Sequence, residues 1–305
     1  MGSLKLFAST VSLLIVVYGT AVRAARLRCG EKGSQPGYWS TVRLASDFFM
    51  WQTLDPTCPL VDCISNYLES EHQVPFPTIL IFGDSVDRFL IDDFHQVVDD
   101  KVDMPEAKKV ALKSKFTRHH TPGVSLEGPY HLNEVLPKSP QMVIDEAKRS
   151  FESLAQVPDV VVFNANLWDI GRLWAWDRGT FSHDHLDESF SRDWLRNGSH
   201  ILQLIQVSFA SSVLIAHTTA LPALESCDTD RHAQAPTGRR THVVQLNALL
   251  RELVLQNPRW HLVDVELLTL HFWPVDKYLR DTHHPLPFVT MNMLNVYLNL
   301  YLDYV

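Results

Sequence analysis

The stretch Thr78-Ile-Leu-Ile-Phe-Gly-Asp-Ser-Val-Asp-Arg88 decides how the rest of the chain is read. An apolar run over residues 79–82 stops abruptly at Gly83-Asp84-Ser85, and a helix-like segment follows. A short, uninterrupted apolar run of this kind reads as a parallel strand buried on both faces. Such a strand delivers the polar residue after it to the carboxyl edge of the sheet, where α/β folds place their ligands. Ser85 is therefore read as a nucleophile, provided the chain also supplies a base, an orienting acid and oxyanion donors. Standing alone, Asp84-Ser85 before a helix would be an ordinary cap.

Further apolar runs repeat the pattern at 159–163, 212–217 and 260–264. Helix-period segments lie between them, at 86–100 with Phe89, Leu90, Phe94 and Val97 on one face, at 140–155, at 187–206 and at 240–256. An amphipathic segment, 286–303, closes the chain. Strands alternating with helices imply right-handed crossovers and a parallel sheet covered on both faces, hence an α/β fold. Residues 101–140 are polar and carry Pro105, Pro122, Pro129, Pro137 and Pro140, so they read as a loop-rich insertion that shapes a cleft. The chain divides into a leader at 1–24, a cysteine-containing N-terminal collar at 26–76 and an α/β domain at 77–305. The collar holds Gly37-Tyr38-Trp39, Phe48-Phe49-Met50-Trp51 and a Pro56-x-Cys58-Pro59 turn.

Composition is that of a globular protein, 46% hydrophobic and 20% charged. The net charge of −8, without a Lys/Arg block, disfavours nucleic acid as a partner. Lys5 precedes an apolar stretch ending in small residues at Ala24 and Ala25, which reads as a cleaved signal peptide; an uncleaved membrane anchor is the rival. Both readings send the chain into the secretory pathway, secreted or retained in a lumen. The cysteines agree. Cys29, Cys58, Cys63 and Cys227 are an even number, which in an exported chain suggests two disulfides with three possible pairings. Asn197-Gly-Ser199 is a glycosylation sequon in a polar stretch.

The late segment Asp281-Thr-His-His284-Pro285 supplies what Ser85 lacks. A hydroxyl needs an adjacent imidazole to become a nucleophile, and that imidazole needs a carboxylate to fix its tautomer. An Asp three residues before a His provides both from one loop, which favours His284 as base and Asp281 as its partner, with His283 the runner-up base. Oxyanion donors are expected from the Ser85 backbone N–H at its helix start, from a glycine of the insertion (Gly123 or Gly128), and from Asn164 or Asn166 at the second strand's end. Trp168, Trp174 and Trp176 follow that strand, where they would either stack on a substrate's sugar rings or pack. His183, His185, His119 and His120 lack a convincing third ligand, so no metal and no cofactor is expected.

Gly-Asp-Ser after a strand, an Asn-bearing strand end and a late Asp-x-x-His together resemble the SGNH/GDSL hydrolase superfamily. The branch most similar is that of the PC-esterases and trichome-birefringence-like proteins. Its Gly-Asp-Ser-x-x-Arg block matches Gly83 to Arg88, its Phe-Asn-x-x-x-Trp block matches Phe163-Asn164 to Trp168, and the collar is similar as well. The resemblance implies a three-layer α/β/α, flavodoxin-like sandwich with Ser85, Asp281 and His284 as triad. It implies an esterase or O-acetyltransferase acting on carbohydrate-linked or similar O-acyl esters. Arg88 would line the oxyanion region or hold a carboxylate. The superfamily's Gly-x-Asn-Asp block appears here as Asn164-Ala-Asn166-Leu, so Asn166 and Asn164 compete for the oxyanion role. A protein that keeps this fold but only binds glycans or partners is the alternative.

Overall fold

The computed structural model describes residues 33–43, 48–69, 74–120, 123–124, 139–153, 156–164, 167, 169–170, 185–223, 240–272, 278–281 and 283–305. The leader, Cys29 and Cys227 lie outside these. Among the described residues no helix is long and apolar enough to cross a membrane.

An antiparallel hairpin of β1 (Gly37–Arg43) and β2 (Phe49–Thr53) precedes a short helix, α1 (Cys63–Glu69). The apolar run at 79–82 lies in β3 (Ile79–Gly83), buried at every position and followed at once by α2 (Ser85–Asp99). Helix α3 (Glu106–Lys113) leads to β4 (Phe116–His120), and α4 (Pro140–Ser153) leads to β5 (Val160–Phe163). Helix α5 (Glu188–Ser208), β6 (Val213–His217), α6 (Arg240–Leu255) and β7 (Trp260–Val263) complete the sheet. A short helix α7 (Val265–Thr269), a 3-10 turn (Leu270–Phe272) and the long α8 (Pro287–Tyr304) follow.

All five sheet strands are parallel, in the order β4-β3-β5-β6-β7. From β3 the chain steps outward to β4, returns past β3 to β5, and then proceeds outward the other way. Right-handed crossovers in opposite directions put their helices on opposite faces. Accordingly α2 packs with α8, while α4, α5 and α6 pack in succession. The result is a three-layer α/β/α sandwich. Its topological switch point lies between the carboxyl ends of β3 and β5, and the resulting crevice is where such sheets bind ligands.

Two expectations are corrected. The first half of 101–140 is not loop, since α3 and β4 lie there. Phe-Thr-Arg-His-His escapes a hydrophobicity reading because β4 is the edge strand, has one ladder partner and is only partly buried. The second correction concerns the cysteines. Cys58 is disulfide-bonded, to a partner outside the described residues. Cys63 is a buried thiol rather than half of a bridge. At Cys63 a different device holds the chain, because its N–H donates to Asn295 Oδ1 of α8 at 2.9 Å.

That bond is one of a series along α8. Asn292 Oδ1 accepts from Trp51 N, and its Nδ2 donates to Phe49 O. Asn295 Nδ2 and Asn299 Nδ2 both donate to Val61 O, and Asn299 Oδ1 accepts from Val61 N. Positions 292, 295 and 299 fall on one face of a helix, so a stripe of amides satisfies the backbone of the collar. Sequon residue Asn197 lies half-buried within α5. A Cβ on its neighbour Gly198 would stand 2.8 Å from Leu253 of α6.

Candidate active site

Ser85 is the first residue of α2 and is half-buried. Asp84 caps the helix. Its Oδ1 accepts from Val86 N at 2.8 Å, while the Asp87 side chain reaches back to Asp84 N at 3.1 Å, a reciprocal capping box. The turn is tight enough that a Cβ on Gly83 would stand 2.0 Å from Asp87 Oδ2, so only glycine fits there. The amides of 84 and 86 are thus committed to carboxylates. The Ser85 N–H, at the positive end of the helix dipole, finds no acceptor among the described residues. Asp84 accordingly has a capping role; it is fully buried, and its Oδ2 meets no hydrogen-bonding atom among the described residues. Burial and then the charge of Asp87 push its pKa up to about 6, against the lowering effect of the Val86 N–H.

The base comes from the loop before α8. His284 Nδ1 lies 2.6 Å from Asp281 Oδ2, and His284 Nε2 lies 2.7 Å from Ser85 Oγ. With Nδ1–H donating to the carboxylate, Nε2 is left to accept the hydroxyl proton. Asp281 Oδ1 accepts the backbone N–H groups of His283 and His284, both within 2.9 Å. Burial alone would raise the pKa of Asp281. The hydrogen bonds from the His284 ring and these two amides outweigh it and hold the carboxyl well below the usual carboxylate range. Asp281 therefore stays ionised and holds the Nδ1–H tautomer of His284, which leaves Nε2 facing the Ser85 hydroxyl. The structure brings together the three residues that the sequence spacing selects. His284, not His283, reaches Ser85; the His283 ring lies against that of His284, centroids 4.0 Å apart.

Other parts of the loop lock it to the nucleophile's own helix. The N–H of Arg280 donates to His284 O, and its Nε donates to Pro285 O. Its Nη2 donates at 2.6 Å to buried Asp93, two turns along α2 from Ser85. Thr290 Oγ1 of α8 donates to the same carboxylate. Phe89 presents its ring to His284 at 4.7 Å in an edge contact, and the Arg280 guanidinium lies 4.3 Å from the centre of that ring. Arg88 is exposed, three positions from Ser85, with its guanidinium 4.9 Å from the Phe89 ring.

Asn164 stands fully buried at the carboxyl end of β5, its N–H bonded to Phe82 O of β3, hence beside the Ser85 turn. Gly123 has φ 101°, a left-handed conformation suited to glycine, and a Cβ there would meet Asp169 Oδ1 at 2.2 Å. Asp169 Oδ2 accepts from Val124 N at 2.9 Å and from Trp194 Nε1 at 2.7 Å, which ties the Gly123 segment to the chain beyond β5. Asn166, Trp168, Gly128, Trp174, Trp176 and His183 lie outside the described residues. Asp281, His283 and His284 place ligand-type atoms within 4.8 Å of one another. Two of these residues are already bonded to each other, and His284 also to Ser85.

Sequence reasoning missed Asp87, Phe89, Asp93, Asp169, His217 and Arg280 as parts of this neighbourhood. One signal was available for His217, a polar residue ending the buried run Val-Leu-Ile-Ala. Asp87, Asp93, Asp169 and Arg280 sit on helices and loops where charged residues are ordinary, and Phe89 reads as one more apolar residue of its helix.

No protein-family model matches the chain, and no curated protein matches it. The site is therefore classed by its own geometry, a serine–histidine–aspartate relay at the switch point of a doubly wound α/β sheet.

Proposed function

We propose that this chain is a serine acyl-transfer enzyme of the SGNH type, an O-acyl esterase or O-acetyltransferase acting on carbohydrate-linked or similar esters in the secretory pathway. The observation that carries the reading is the Asp281–His284–Ser85 chain of 2.6 and 2.7 Å contacts. His284 Nε2 takes the Ser85 proton as Oγ attacks the acyl carbonyl. The oxyanion of the tetrahedral intermediate meets the Ser85 N–H, with Asn164 or Asn166 and the Gly123 amide as the further donors. His284 then returns the proton to the leaving alcohol, and the acyl-enzyme remains. Water or a sugar hydroxyl, deprotonated by His284, attacks the acyl-enzyme and releases acid or a new ester. The carbohydrate class rests on the resemblance to the PC-esterase branch, through Gly83 to Arg88 and Phe163-Asn164 to Trp168.

A fluorophosphonate is expected to label Ser85 in the wild type and to leave Ser85→Ala unlabelled and folded. Mass spectrometry after exposure to acetyl esters should show Ser85 carrying one acetyl group. A folded wild-type protein that binds glycans but takes neither label nor acyl group would replace this reading with that of a binding protein.

A further inference from the structure

Behind Ser85 lies a buried aspartate–histidine pair that the acyl-transfer cycle does not use. Asp87 and His217 are both fully buried. His217 Nε2 lies 2.9 Å from Asp87 Oδ1, and its Nδ1 lies 2.9 Å from the carbonyl oxygen of Thr218. Both ring nitrogens thus face acceptors, which suits an imidazolium donating twice. Burial lowers the basicity of this ring, but the Asp87 carboxylate and the Thr218 carbonyl raise it further, so its pKa lies above the ordinary histidine value. The other carboxylate oxygen of Asp87 accepts the Asp84 amide, inside the turn that carries Ser85. Asp84 faces the pair from the same turn, and Tyr297 of α8 faces it from across, its ring centroid 6.3 Å from that of His217. Burying two charges is costly unless geometry and partners repay it. The repayment here lies at the nucleophile.

We propose that Asp87 and His217 are positioning residues for Ser85. His217, fixed at the end of β6, holds the Asp87 carboxylate; that carboxylate fixes the Asp84 amide and so aims Ser85 Oγ at His284. The pair ties the nucleophile turn on β3 to a strand two places away across the switch point, so the sheet itself sets the serine's direction. This inference rests on the acyl-transfer reading for its kinetic arm and stands independently of it for its spectroscopic arm.

The test uses the full-length protein and two variants of nearly unchanged shape. Asp87→Asn keeps the side-chain outline and removes the charge. His217→Asn can keep the bond to Thr218 and gives up the one to Asp87. Each should slow fluorophosphonate labelling of Ser85 by about 30-fold or more, since small misplacements of reacting groups carry losses of that order. KM for p-nitrophenyl acetate should stay within about threefold, the loss falling on kcat. Asn247→Ala is the control. It breaks a buried polar contact of the same kind, to Thr219 and Glu266, away from the turn. At matched loss of Tm it should label within about threefold of wild type. Equal slowing in the control, or undiminished labelling in both test variants, overturns the proposal. Nitrogen-15 NMR of the wild type decides without any activity. A His217 ring protonated on both nitrogens at pH 7 supports the pair, and a singly protonated ring overturns it. A wild type that is not labelled at all would instead remove the acyl-transfer reading and leave the NMR result to stand.

Discussion

In the proposed acyl transfer, Ser85 depends on two neighbouring side chains and on its own backbone amide. His284 Nε2 accepts its proton, Asp281 holds His284 in the right tautomer, and the serine's own amide is left uncommitted while its neighbours are capped. Adjacent histidines make a direct comparison. His284→Ala should lower kcat by about 10⁴-fold or more, and Asp281→Asn by a comparable factor. His283→Ala, whose ring lies against that of His284, should lose less than about tenfold. Steady-state ester hydrolysis checks the ordering, and equal losses at 283 and 284 would remove His284 as base. Asp84 makes a prediction about stability. Its pKa in the folded chain, pushed up to about 6, lies above the ordinary aspartate value of about 3.9. The folded state therefore binds the proton more tightly than the unfolded state. The stability this contributes is complete below the ordinary value and is lost as pH rises through about 6. Asp84→Asn keeps the cap oxygen and mimics the neutral acid. Its Tm relative to wild type should climb between pH 4 and pH 7; a flat difference would contradict the assignment.

At the scale of elements, the question is how a loop near the C-terminus keeps its appointment with a turn at residue 85. The answer is that the loop is fastened to the nucleophile's own helix. Arg280 is joined to Asp93 of α2, stacks on Phe89 of α2, and donates its amide to His284 O within the loop. Thr290 of α8 shares Asp93, so both elements flanking the base converge on one carboxylate. Arg280→Ala would remove the strut and leave Asp93 with Thr290 alone. The expected outcome is a fall in kcat of about 10- to 100-fold from misplacement of His284, with KM changed little. Arg280→Lys should recover only part, because a lysine cannot bond Asp93 and Pro285 O together while stacking on the ring. A loss confined to KM would mean that Arg280 holds substrate instead.

At the scale of the whole molecule, α8 is the common wall. One side packs on α2 and the sheet, and the other carries the asparagine stripe that receives the collar. An asparagine in a helix that is otherwise Met, Leu, Val and Tyr is costly unless both ends of its amide are used. Here each one bonds collar backbone. Asn295→Ala would leave Cys63 N with Val61 O alone and remove one of three donors from Val61 O, destabilising the fold by about 1–3 kcal/mol. Because the collar and the sheet share α8, both should unfold in one transition. Tryptophan fluorescence, compared between wild type and a variant with Trp39 and Trp51 replaced by Phe so that the collar's share can be read, and far-UV circular dichroism should give coincident curves in wild type and Asn295→Ala. Two separated transitions would show that the collar is an independent unit.

The sequence by itself determined what local pattern controls. Apolar runs give the strands at 78–83, 159–163 and 212–217, because a strand covered on both faces has few polar positions to obscure it, and the Trp-His-Leu-Val stretch gives the partly buried edge strand at 260–264. Helical periods mark α2, α4, α5 and α6 to within a few residues, and the spacing of Asp281 and His284 selects a base for Ser85. Tertiary structure alone decided the rest. Strand β4 is written in polar residues because it is an edge, and its membership in the sheet depends on β3 being there to pair with it. The disulfide expectation failed at Cys63 because an even count says nothing about which thiols meet, and burial against α8 is a property of three dimensions. Asp87 and His217 are 130 positions apart, as ordinary in the sequence as any other charged or polar pair. They become a pair only when β3 and β6 are laid in one sheet, with no more than β5 between them.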